Sequence, residues 1–242
     1  PLSITGASNY SLIPSQRSAI LLLNRSILSS VAKVSGGEGI RIKPVGMHTK
    51  AEWTIQMSAI YSSLTRSNLT TAYLSNGTGG EFYTRISSTA GIQVKNGRDG
   101  DDTWTQIPLQ AGKWLHITYV HKDKKTTVYV NGKVQKVFEN SAITFGENSM
   151  IVVGNSGYRN DYLREIRLWD KALTESEIND YLYLPMDPAT PHLISYLPLS
   201  KEMETKDLKA PAGTENVTTK ARIEYVENVK FPADELVIVN QE

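Results

Sequence analysis

The sequence contains no cysteine. That excludes a disulfide framework and a thiolate zinc site, and it leaves the compartment open. Neither sign of charge predominates: 26 Lys and Arg face 25 Asp and Glu, a net charge of +1. No global field therefore draws the chain to nucleic acid or to an anionic membrane. The longest apolar run, Ala19 to Leu23, falls far short of the ~18 residues that a membrane-spanning helix needs. Histidine is scarce, with four residues (His48, His116, His121, His192), and no pair has the H-x-x-x-H spacing of a zinc site. The EF-hand pattern is missing too. Without an initiating Met or a secretory leader, the chain is predicted to be a processed or excised piece of a longer protein. No internal repeat or low-complexity tract is present. What remains is a 242-residue chain, long enough for one large all-β domain or two small ones and able to bury about 70–75% of its unfolded surface without staples.

What is present is period-two alternation. From Trp114 to Val120, Leu115, Ile117 and Tyr119 share one face, and Trp114, His116, Thr118 and Val120 the other. Thr126 to Val130 is wholly β-branched or aromatic, which suits a pleated, half-buried surface. The polar run 121–125 between them reads as a solvated hairpin tip, His121 included, whereas His116 reads as a half-buried strand histidine. Asn131-Gly132 is the strongest short hairpin signal, and a third strand, Lys133 to Phe138, follows. Strands are also predicted at 39–42, 53–61, 81–86, 91–95, 143–145, 149–153, 163–169, 192–199, 221–227 and 235–239. In 53–61 the side chains of Trp53, Ile55, Met57 and Ala59 face a core. Residues 62–80 read as a connection ending in the turn 76–80. Residues 17–34 read as two short strands broken near Asn24-Arg25, with a helix as the alternative. Thr174 and Glu177 form a capping box that starts a helix over 174–183, which Pro185 stops.

The run Gly112 to Val120, followed by Val128-Tyr129-Val130-Asn131-Gly132-Lys133, resembles the central hairpin of laminin G-like domains. These belong to the concanavalin A-like lectin/glucanase superfamily. Ile151 to Gly154 and Leu163 to Ile178 resemble that family's later strands and short helix, and Leu193 to Leu199 its closing segment. The resemblance implies an all-β fold: an antiparallel β-sandwich jelly roll with one short helix, spanning 38–242. Residues 1–37 would be an N-terminal lead-in or the tail of a preceding domain. It also implies a non-catalytic, lectin-like module of a secreted or cell-surface bacterial protein, anchored at the outer membrane when full length, whose partner is an oligo- or polysaccharide. A scaffold or protein–protein interaction module is the alternative, and a diverged glycoside hydrolase a third reading.

The superfamily's glucanases carry Glu-x-Asp-x-x-Glu on one strand. Here Glu165 fits, but Arg167 takes the middle position and Asp170 the last, and an Arg cannot serve as acid or base at neutral pH. That predicts a structural strand and no enzyme; Glu81 with Asp161 is the nearest other carboxylate pair. Sugar sites combine a stacked aromatic with amides and charges that fix the hydroxyls. The candidates are Trp104 beside an Asp-rich turn, Tyr158 with Asn155, Arg159, Asn160 and Asp161, and Tyr83 with Arg85. Trp53, Trp114 and Trp169 lie within alternating strands and are predicted to pack in the core. The resemblance also leaves room for Ca2+, for which Asp99, Asp101 and Asp102 beside Asn96 are the densest oxygen cluster. A Gly/Asp hairpin turn accounts equally for those residues.

Overall fold

The computed structural model describes residues 30–37, 39–46, 50–64, 69–75, 80–96, 102–139, 143, 145–156, 161–182, 185–227 and 229. Alternation produces two antiparallel sheets. One comprises β1 (Ser30–Ser35), β3 (Trp53–Ile60), β8 (Trp114–Lys122), β9 (Lys125–Val130), β10 (Lys133–Phe138), β12 (Asp161–Trp169), β13 (Leu193–Leu197) and β15 (Arg222–Glu227). Its order is β10-β9-β8-β3-β12-β1-β15, with β13 also on β12. The other comprises β2 (Ile40–Ile42), β4 (Leu69–Ser75), β5 (Gly80–Ser87), β6 (Gly91–Asn96), β7 (Asp102–Trp104), β11 (Met150–Ser156) and β14 (Val217–Thr219), in the order β14-β2-β11-β4-β5-β6-β7. Ile55, Met57, Ile117 and Tyr119 of the first sheet close on Ile40, Leu74, Phe82 and Ile151 of the second, all fully buried. This is the expected β-sandwich, with one short helix among the described residues, and the alternation of β3 and β8 aims its core residues as predicted. A side chain on Gly39, at φ +69°, would run into the carbonyls of Val153 and Gly154, so β2 approaches β11 through a residue without Cβ.

Several elements differ from the sequence reading. The hairpin tip is shorter: β8 runs to Lys122, and the turn is Asp123-Lys124 alone, at φ +50° and +62°. A two-residue turn of this kind matches the twist of its strands. His121 therefore lies inside β8 and is 1% exposed, not solvated. Its Nε2 accepts from the Ile143 amide (3.2 Å), its Nδ1 meets Thr126 Oγ1 (2.9 Å), and the ring stacks on Trp53 at 5.0 Å. Thr126 in turn donates to Asn96 Oδ1 at 2.6 Å, so this polar chain joins β9 of one sheet to β6 of the other. Residues 30–35, which overlap the second of the two short strands read in 17–34, form β1 between β12 and β15 of this sandwich, because Val31, Ala32 and Val34 supply an apolar segment with no exposure beyond 1%. β4 arises in the stretch 62–80 read as a connection, and β14 in a stretch to which no element was assigned. Ile143 and Phe145 lie outside any strand yet reach the core. Residues 17–29 and the strand expected at 235–239 lie outside the described residues.

The outer face of the larger sheet is covered. Helix α1 (Glu175–Asp180) and the chain around it bring Leu173, Ile178, Met186 and Leu193 onto Val120, Trp169 and Tyr196. Under this layer Thr54, Gln56, Ser58, His116 and Thr118, polar residues on the non-core face of β3 and β8, are fully buried. His116, expected to be half-buried, is sealed in. The helix starts as predicted: Thr174 Oγ1 accepts from the Glu177 amide (3.3 Å), and the Thr174 amide donates to Glu177 Oε2 (2.9 Å). Thr174→Ala removes the first of these and is expected to cost about 1 kcal/mol of unfolding free energy in a urea titration.

The strands that end the two sheet orders are each guarded. β7 and β14 have three residues each. β10 shifts register between Val134 and Lys136 and carries lysines among its exposed Val134 and Val137. β15 exposes Arg222, Glu224 and Glu227.

Candidate functional site

Cα partners in an antiparallel sheet present their side chains on the same face. Across the end of the smaller sheet, Arg85 pairs with Gln93 and Gln93 with Trp104; one step along, Tyr83 pairs with Lys95 and Lys95 with Asp102. Phe82, Thr84, Ile86, Ile92 and Val94 occupy the alternate positions and are buried. The outer face of β5–β7 therefore gathers Tyr83, Arg85, Gln93, Lys95, Asp102 and Trp104.

Four of these side chains, Tyr83, Arg85, Gln93 and Asp102, form one connected group. The Arg85 guanidinium lies over the Tyr83 ring, 4.9 Å from its centroid, and Arg85 Nη1 donates to Gln93 Oε1 at 3.4 Å. Gln93 Nε2 donates to Asp102 Oδ1 at 2.9 Å, and the Tyr83 hydroxyl reaches the same carboxylate at 3.4 Å. Partial burial, and then the Asp102 carboxylate, push the Tyr83 phenol above its usual range, which keeps it a donor. With Arg85 over Tyr83, half-buried Trp104 is the aromatic placed to stack a ligand. Arg85 and Gln93 supply donors beside it, and Asp102 an acceptor.

Sequence reasoning named Tyr83, Arg85 and Trp104, and the structure brings them together. Asp102, named for calcium, joins them as a hydrogen-bond acceptor. Gln93 and Lys95 were missed, although their alternation with Ile92 and Val94 places them on this face. Asp161 stands apart. It is 2% exposed and accepts from the Ser62 amide (2.6 Å) and hydroxyl (2.9 Å), fastening the start of β12 to the chain after β3. Asn155 lies on β11, but its side chain is outside the described residues, as are Tyr158, Arg159, Asn160, Asp99 and Asp101. Among the described residues, no three His, Asp or Glu side chains are grouped to hold a metal ion.

The glucanase-like strand is committed to the fold. Between Arg164 and Arg167 the register against β3 shifts, so Glu165 and Ile166 together oppose Met57. Strict alternation from Leu163 would aim Glu165 into the apolar core. The bulge, with Glu165 at φ +58°, turns it to the opposite face and leaves Ile166 in the core. There Glu165 Oε2 accepts from Arg167 Nη2 (2.8 Å) and from the Tyr196 hydroxyl (2.9 Å), while Oε1 lies 3.7 Å from Arg164 Nε. Arg167 Nη1 donates to the carbonyl of Tyr181 at the end of α1 (2.9 Å). Asp170 pairs with His192 (2.9 Å) and Lys50 (3.3 Å). Glu81, the partner suggested for Asp161, has its side chain outside the described residues.

A family model described as Concanavalin A-like lectin/glucanases superfamily matches residues 35–179, more than half of the chain. No curated protein matches the chain. Among solved structures, a candidate carbohydrate-binding protein from Bacteroides ovatus is 21% identical, with a TM-score of 0.58 over 83% of this chain and 60% of that one. The chain thus spans less than two thirds of that protein's length. A heptameric SAP-like pentraxin from Limulus polyphemus is 13% identical, with a TM-score of 0.55 over 87% of this chain and 99% of that one. Domain 4 of an extracellular arabinanase from Geobacillus stearothermophilus, solved with arabinotriose, is 19% identical, with a TM-score of 0.49 over 62% and 76%. At these identities the first two likenesses show the fold alone.

Proposed function

Since this chain belongs to the concanavalin A-like lectin/glucanases superfamily, we propose that it is a non-catalytic carbohydrate-binding module of a secreted or cell-surface protein. The observation that carries the reading is the connected group on β5–β7. Tyr83, Arg85, Gln93 and Asp102 form a polar network next to the ring of Trp104. An aromatic face meets the apolar side of a pyranose, and the flanking donors and acceptor hold its hydroxyls. A broad sheet face with its polar groups in one line suits an oligosaccharide laid across strands. The commitment of Glu165 and Arg167 to a buried ion pair supports a binding role over a hydrolytic one.

The test is a glycan array of the purified chain, run with and without calcium and repeated on Trp104→Ala. A buried aromatic anchor at an interface is commonly worth ~2 kcal/mol or more, so the variant should lose affinity by roughly 30-fold. Its unfolding midpoint should change little, because Trp104 lies at a sheet edge. A blank array on folded protein would favour the protein-binding reading instead. Binding that survives in the variant would remove Trp104 from the site.

A further inference from the structure

The face on β5–β7 is unevenly charged. Arg85 and Lys95 lie on it. Asp102 is the one acid whose side chain is described on this patch, and it is already held by Gln93 and Tyr83. Among the described side chains of this face, two cations beside one engaged carboxylate is a local departure from balance.

Arg85 is the centre of that departure. Among the described residues it has no carboxylate within ion-pair distance. Its one side-chain hydrogen bond, to Gln93, is long at 3.4 Å. Its position over the Tyr83 ring holds the guanidinium against a flat surface. A guanidinium held in this way, with no carboxylate partner among the described residues, offers the planar fork that takes a carboxylate through two parallel bonds. A cationic amino sugar would meet Arg85 and Lys95 on the way to Asp102. A neutral sugar would leave the guanidinium without a counter-charge.

Resting on the carbohydrate-binding reading, we infer that this face selects an acidic saccharide, whose ring lies on Trp104 and whose carboxylate pairs with Arg85. Lys95 adds attraction on the same face and steers the approach of an anionic chain.

The experiment measures binding of oligogalacturonate, oligoglucuronate and sialyllactose, each beside its carboxyl-reduced counterpart, together with neutral arabino-, xylo- and gluco-oligosaccharides. Wild type, Arg85→Gln and Lys95→Gln are compared at low and high salt, with unfolding midpoints recorded for all three. The expected result is that at least one acid binds about tenfold or more tightly than its reduced form. Arg85→Gln should abolish that difference, Lys95→Gln should narrow it, and salt should narrow it in the wild type. Equal binding of acid and reduced forms, or binding of neutral sugars alone, overturns this inference and leaves the carbohydrate reading standing. Selectivity that persists in Arg85→Gln overturns the assignment to Arg85. Folded protein that binds no member of the panel overturns both.

Discussion

Glu165→Ala is expected to lower the unfolding free energy by roughly 3–5 kcal/mol, the usual cost of leaving a buried ion without its partner. Arg167 has no exposed side-chain surface, and Arg164 has 4%. Without the carboxylate, two sealed guanidinium groups face each other and the Tyr196 hydroxyl loses its acceptor. Burial, and then the Glu165 carboxylate, already hold that phenol well above its usual range. The measurement is a urea titration at constant slope. The double variant Glu165→Ala/Arg167→Met should recover part of the loss, because removing both charges relieves the uncompensated cation. A loss below about 1 kcal/mol in the single variant, the range typical of exposed ion pairs, would mean that water reaches this layer and that α1 does not seal it.

The second large effect is acid lability. Burial, and then the nearby Arg167 cation, lower the His116 pKa from 6.5 to about 3. Burial lowers that of His121 from 6.5 to about 4. Both pKa values are depressed in the folded state, so the unfolded chain binds more protons as pH falls below 6.5. The stability these neutral rings contribute is complete above pH 6.5 and is lost on descent toward pH 4 for His121 and pH 3 for His116. Each group contributes a slope of up to about 1.4 kcal/mol per pH unit. Urea unfolding between pH 6 and 5, above most carboxylate titrations, should therefore show stability falling with pH, and His121→Gln should flatten the slope. The geometry of His121 gives the same sign. Its Nε2 accepts the Ile143 amide, so a second ring proton would set donor against donor. A flat profile in the wild type would place both rings in contact with water.

How much of this was legible in the sequence depended on distance along the chain. β3, the β8–β10 meander and the capped helix follow from signals within a dozen residues: alternation, Asn131-Gly132, and Thr174 with Glu177. β4 was hidden because its threonines and serines read as connection, although β-branched Thr suits a strand. β14 is too short to carry a pattern. The covered outer face was invisible for a different reason. Thr54, Gln56 and Ser58 alternate as a solvated face would, and the segment that buries them comes more than a hundred positions later, as the bonds from Thr54 to Lys171 and Leu173 show. The placement of His121 failed on turn length, since a Lys-rich run looks like a long tip when two residues of it make the turn. In the candidate site, Tyr83, Arg85 and Trp104 were legible by residue type. Their convergence was not, because it depends on the pairing of β5, β6 and β7. Gln93 escaped notice because an amide on a strand carries no signal until its neighbours are known.

The guarded outermost strands bear on how the protein behaves when many copies crowd together. A sandwich of open sheets offers rows of unpaired amides and carbonyls on which another chain could crystallise as an added strand. Here β7 and β14 are too short to template such growth, β15 meets an incoming copy with alternating charge, and β10 breaks its own ladder at the bulge beside Lys136. Among the described residues, each of these four strands is thereby a poor template for polymerisation. The two exposed valines of β10 stay harmless because the backbone beside them cannot present a straight edge.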